Sequence, residues 1–198
     1  MGDFVVFADP AAQDLMNYLP DLISNMTEQG FTLALFECPV CVERAWTKRD
    51  AYDALCSETV PDPLTDATLQ FWGDVVIVRK SVDTLQFIHD WETGLAEYDL
   101  INDSPSKRPE IPGFLENRHD QSILSLLLKC QHRNEYSKMS PFVPGPEHSK
   151  SYPLAYGYRI RMFPLGGVAS PMLYSNRKTN DSSKLQNKAH RIRRWWPF

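Results

Sequence analysis

Four consecutive side chains capable of chemistry, Arg118, His119, Asp120 and Gln121, stand in "ENRHDQSILSLLLKC", where a polar run meets an apolar, helix-like stretch. Capping accounts for one of them. A carboxylate at a helix start can accept a backbone N–H of the first turn, and its charge suits the positive end of the helix dipole. The remaining three point to recognition. Asp120 and Gln121 together can grip sugar hydroxyls in two-pronged fashion, while Arg118 stays charged beside a phosphate.

Two other stretches carry similar chemistry. In "WTKRD" (46–50), Trp46 offers a flat face to a sugar ring, and Lys48 and Arg49 offer charge to a phosphate, with Asp50 beside them. The structural alternative is a helix N-terminus, with Thr47 as cap and Asp50 three residues on. Asp9 ends the apolar run "FVVFADP". It reads either as an Asp-Pro turn or as a carboxylate for a divalent cation or a sugar hydroxyl. A single CxxC, Cys38 and Cys41 in "CPVC", lacks the second pair that a zinc site wants. A redox dithiol is weighed against ordinary half-buried thiols, and the missing helix start after Cys38 favours the latter.

The elements that must position these residues follow from periodicity. "FVVFADP" (4–10) reads as a buried strand, 11–30 as a helix that Pro20 kinks or divides, and "FTLALFE" (31–37) as a second strand. Strand, helix, strand predicts a right-handed βαβ unit and a mostly parallel α/β sheet. A helix begins near residue 48. A strand over 74–80 leads into a long helix capped by Ser81, with Leu85, Ile88, Trp91 and Leu95 on its apolar side. Gln70 and Trp72 precede that strand and could face the cleft, although Trp72 suits the core better. The proline-rich stretch 102–113 is a loop of the kind that borders sites, and loops with short strands are expected from about 133 to 170.

With 198 residues, 42% hydrophobic and 12% aromatic, the chain can bury a full core, so disorder is excluded and no disulfide is required. No run is long and apolar enough to span a bilayer, and no signal peptide is visible; a cytoplasmic or membrane-peripheral setting is expected. The net charge of −4 is unevenly spread. Residues 175–198 hold seven Lys or Arg and one Asp, so residues 1–174 carry about −10. The expected organisation is therefore an acidic α/β domain over 1–174 and a basic amphipathic tail over 175–198. The tail suits an anionic membrane surface, with Trp195 and Trp196 at the headgroups, or a helix docked on its own acidic body. A body so acidic argues against nucleic acid as a partner.

"WTKRD", "KSVDTLQFIHDW", "DSPS" and "FLENRHDQSILSLLLK", in that order, resemble glycosyltransferases of the GT-A, nucleotide-diphospho-sugar transferase type over roughly residues 3 to 130. The run His119–Ser122 is also similar to the His-Asp-Glu-Ser stretch of blood-group-type galactosyl and N-acetylgalactosaminyl transferases. The resemblance implies a nucleotide-sugar donor and a glycan acceptor, with Asp120 and Gln121 as catalytic-centre residues beside the transferred sugar. Trp46, Lys48, Arg49, Asp50, Arg118 and His119 would bind substrate, and Asp9 would hold manganese or magnesium. Asp9 alone represents the family's Asp-x-Asp motif, and the chain starts at the strand bearing it. The expectation is thus a partial GT-A-like fold without the upstream nucleotide-binding part. The alternative is a non-catalytic remnant that binds carbohydrate or protein.

Overall fold

The computed structural model describes residues 3–10, 12, 17–56, 68–144 and 158–166. The basic tail, and with it the expected interfacial helix, lies outside these residues.

A five-stranded sheet forms the centre, built from β1 (Phe4–Ala8), β2 (Leu33–Val42), β3 (Leu69–Arg79), β4 (Ser140–Phe142) and β5 (Arg159–Phe163) in the spatial order β1-β3-β2-β5-β4. Every pairing among the described residues is antiparallel. The expected mostly parallel sheet is therefore incorrect. β1 and β2 do run in the same direction, each antiparallel to β3, with α1 (Leu19–Gln29) between them in sequence. They are not neighbours, because β3 inserts between them. The alternation strand–helix–strand fixes the relative sense of two strands, but it says nothing of a third that pairs between them later in the chain.

Side-chain alternation along the strands, with period two, divides the interior into two cores. Leu33, Leu35, Val76, Val78 and Phe163 point to one face and pack with α3 (Arg49–Leu55), α4 (Val82–Ala96) and α6 (Asp120–Leu126). Ala34, Phe36, Val75, Ile77, Ile160 and Met162 point to the other and pack with Leu22 and Met26 of α1. The result is three layers: helices, sheet, helix. β1 sits at an edge and is half-buried along its length, not the buried strand its apolar run predicts. Pro20 does not kink a helix, since α1 begins at Leu19 and proline occupies its first turn, where no N–H is lost.

The expected cap of α4 is present as a full capping box between Ser81 and Thr84. The helix ends at Ala96 and a short α5 (Tyr98–Ile101) follows. Leu85 turns outward at 41% exposure, and Phe87 fills the core in its place. Between β2 and α3 lies a single turn, α2 (Glu43–Trp46). α6 runs on into a π-helical turn (Leu127–Gln131), followed by α7 (Arg133–Tyr136). A disulfide joins Cys56, at the end of α3, to Cys130 in the π turn, with Cα atoms 5.2 Å apart. Composition suggests no need for one. Its partners are 74 residues apart and only tertiary packing brings them together.

Candidate functional site

Two irregularities in the sheet lie side by side and create the site. Leu35 pairs with Val76 but Phe36 pairs with Trp72, so Gly73, Asp74 and Val75 are extra residues on β3 relative to β2. Glu37 pairs with Phe71 but Val42 pairs with Leu69, so β2 in turn bulges over Cys38–Cys41. Bulges re-aim side chains and recur beside functional sites. Here one of them turns Asp74 out of an otherwise apolar strand. Asp9 follows the end of β1 and donates its N–H to the Asp74 carbonyl at 2.8 Å.

The start of α6 closes the third side. Gly73 lies so near it that an added Cβ would sit 3.4 Å from the Gln121 Cα and N. His119 adopts φ 48°, a backbone conformation that side chains rarely take, and turns the chain into the helix. The Asp120 carboxylate accepts the Gln121 N–H at 2.9 Å, while its carbonyl accepts the Trp91 indole N–H at 3.1 Å. Helix α4 thereby fixes the first residue of α6. Arg118 stacks its guanidinium 4.4 Å from the Trp46 ring centre and donates its backbone N–H to the Trp46 carbonyl.

Asp74 feels both outer carboxylates. Burial raises its pKa first, and the charges of Asp120 and Asp9 raise it further; a hydrogen bond from Trp72 and the charge of Arg118 oppose them. Asp9, Asp120 and Arg118 thus lie near enough for their charges to act on Asp74, beside the carboxyl end of β1. The strand reading beginning at Asp74 placed this residue at an element's edge, where it drew no attention. Its signal was an acid following Gly73 within "FWGDVVIV".

Beneath this mouth lies a dense buried polar network. Gln121 Nε2 donates to Gln70 Oε1 at 2.6 Å. Gln70 Nε2 in turn lies within bonding distance of Glu43, Thr47 and Ser122 side chains. Glu43, fully buried, accepts from Thr47, Ser125 and Lys129, the last at 2.5 Å. Gln121 is accordingly the floor of the site, held from below. Thr47 serves this network and does not cap α3; that position is taken by Lys48 with no side-chain cap.

The "WTKRD" residues split. Trp46 reaches the mouth through its stack with Arg118. Lys48 is 2% exposed, and its ammonium donates to the Asp99 and Ser104 carbonyls and the Asn102 side chain at 2.8 to 3.0 Å. Arg49 pairs with Asp53 at 2.8 Å. Asp50 accepts the Lys107 N–H, and its own N–H goes to Ser106. These three fasten the proline-rich loop 102–113 to α3. His119 stands 43% exposed with Nε2 2.7 Å from Asp103.

Among the described residues no group of three His, Cys, Asp or Glu side chains is close enough to hold a metal ion. The three aspartates therefore do not form a protein-only metal centre. Among the described residues no helix is long and apolar enough to cross a membrane. No family model, curated protein or solved structure matches the chain.

Proposed function

We propose that the mouth between the bulges binds a nucleotide-diphospho-sugar and transfers its sugar to a glycan acceptor. The observation that carries this reading is that Asp9, Asp120 and Arg118 act on the half-buried Asp74 beside Gly73, which lies against the Gln121 backbone. Glycosyl transfer breaks the bond from the anomeric carbon to the diphosphate oxygen and joins that carbon to an acceptor hydroxyl. It needs a cation for the leaving diphosphate, a carboxylate for the hydroxyl proton, and groups that orient the sugar. Arg118 on its Trp46 plate supplies the first. Asp74 suits the second, since burial and its acidic neighbours raise its affinity for a proton. Asp120 and Gln121 supply the third. Gln121 is an amide and forms no glycosyl-enzyme. Were a divalent cation to accompany the donor, Asp9 would be the residue to hold it, and it would supply charge to the leaving diphosphate.

One observation favours a second reading, a carbohydrate-binding protein without transfer. Lys48 and Arg49 are engaged elsewhere, so among the described residues of these motifs Arg118 alone offers the mouth positive charge. A mouth rich in carboxylates suits neutral sugar hydroxyls better than a diphosphate.

Calorimetric titration with a panel of nucleotide-sugars and free oligosaccharides, with and without manganese, separates the two. Binding of one donor, lost in Arg118→Ala, supports transfer. Binding of oligosaccharide alone supports the second reading. A folded chain that binds neither overturns both.

A further inference from the structure

The bulge on β2 holds the pair Cys38 and Cys41, which glycosyl transfer does not use. Both side chains are buried, at 1% and 8% exposure, and both are thiols. Pairing of β2 with β5 ends at Glu37, and pairing with β3 resumes only at Val42. Among the described residues the four between have no register partner on β3 or β5, and Val40 stands 73% exposed. Lack of a helix after Cys38 counts against a dithiol in the sequence, but the bulge provides by another route the turn that a helix start would provide. Each thiol acts on the other's proton, Cys41 lowering the pKa of Cys38 and Cys38 raising that of Cys41. The Cys38 sulfur also lies 3.8 Å from the Tyr158 hydroxyl, and the backbone of Val40 and Cys41 lowers its pKa further.

We infer that Cys38 and Cys41 are a peroxide-reactive dithiol that closes to a disulfide within the β2 bulge. The surroundings divide the labour. The Cys41 S–H bond, then the two backbone N–H groups and Tyr158, hold Cys38 toward thiolate against the cost of burial. Cys41 is held protonated by its bond to Cys38 and by burial. Cys38 thiolate attacks hydrogen peroxide, the O–O bond breaks, an S–O bond forms, and hydroxide leaves to become water with a solvent proton. Cys41 then attacks the Cys38 sulfenic acid, the S–O bond breaks, the S–S bond forms, and water departs with the Cys41 proton. Two thiols are oxidised and one peroxide is reduced to two waters. Because both sulfurs are nearly enclosed, a small hydroperoxide is a better oxidant here than a bulky disulfide.

Peroxide treatment of the intact chain, followed by thiol alkylation and peptide mapping, tests this directly. The expected result is the loss of two hydrogens and a Cys38–Cys41 cross-link that dithiothreitol reverses, with Cys56–Cys130 already joined beforehand. In Cys41→Ser the sulfenic acid persists on Cys38 and is trapped by a dimedone probe, and in Cys38→Ala no peroxide product forms at Cys41. Two thiols that still alkylate after peroxide in the folded wild-type chain overturn the inference. So does separate oxidation of each sulfur without a link. Mapping of the wild-type chain decides the matter even if a variant does not fold. Nothing in this test depends on sugar binding.

Discussion

Lys48 and Arg118 are both cations beside Trp46, yet the structure uses them in opposite ways. Lys48 is enclosed, and its ammonium is neutralised by carbonyls of the loop that it anchors. Arg118 lies on the outside of the same tryptophan with 45% of its side chain exposed, paired loosely with Glu116 at 3.4 Å. The difference lies in what the chain does next. After Lys48 comes a helix against which the 102–113 loop folds, burying the lysine. After Arg118 comes His119 with its positive φ, which turns the chain into the buried helix α6 and leaves Arg118 at the surface. A cation whose desolvation is offset by fixed acceptors is structure; a cation left in partial water is available to a ligand.

The sharpest break in this comparison comes from the buried network. Glu43→Gln leaves the Lys129 ammonium without its carboxylate in a site where the pair is 3% and 0% exposed. Removal of one partner of a buried pair costs about 3–5 kcal/mol, so urea unfolding should show a large loss of stability. Cys56→Ser comes close behind. Opening a loop closed over 74 residues costs about 4 kcal/mol on chain-entropy grounds, and the same measurement checks it. Lys48→Met should cost about 3 kcal/mol, because several buried acceptors lose their donor. Its folded fraction should bind ligand as the wild type does. A selective loss of ligand affinity in stable Lys48→Met would move this lysine from the structural side of the comparison to the other.

Arg118→Ala tests the opposite side. An exposed pair and a surface cation–π stack contribute only about 1 kcal/mol or less to stability. Donor affinity, on the other hand, should fall by at least about tenfold, the value of one charge-assisted contact to phosphate. Asp120→Asn should follow the same pattern. Equal affinity in both folded variants would remove the mouth from the proposal.

The sequence exposed the parts of this arrangement that depend on local chemistry. Ser81 and Thr84 close the capping box because the two residues are three apart, and the apolar β2 and β3 runs are strands because their alternation fills two cores. The bulges were hidden. Each consists of extra residues on one strand relative to another, so a single strand's pattern cannot show it; hence Asp74 stands unmarked, and Cys38 and Cys41 read as ordinary thiols rather than as a pair within a bulge. The sheet's antiparallel sense was hidden for a similar reason, since β3 takes its place between strands that precede it. The burial of Lys48 is not legible in its own stretch because it depends on Asn102 and Ser104, more than fifty residues away.

The smallest effect concerns His132, which lies 4% exposed behind α4, edge-on to Phe87 at 5.2 Å, with no hydrogen-bond partner on Nε2. Burial lowers its pKa below 6.5, against the opposing pull of Glu135, Asp90 and Asp83. The unfolded chain therefore takes up a proton at this residue before the folded chain does. Stability tied to neutral His132 is complete above 6.5, falls as the pH drops from there toward the folded value, and levels off below it. Asp74 works in the opposite sense at more acid pH. With its folded pKa above 3.8, it adds stability that is complete below 3.8 and disappears as the pH rises through the folded value. The two must be separated by difference. In urea unfolding at pH 7.5 and 5.5, wild type minus His132→Gln should show the histidine's share shrinking at the lower pH by up to about 1 kcal/mol, while Asp74 cancels because it is common to both chains. A difference independent of pH would mean that the His132 imidazolium finds a partner in the folded chain, and the enclosed side of the comparison would then accept charge as readily as the mouth does.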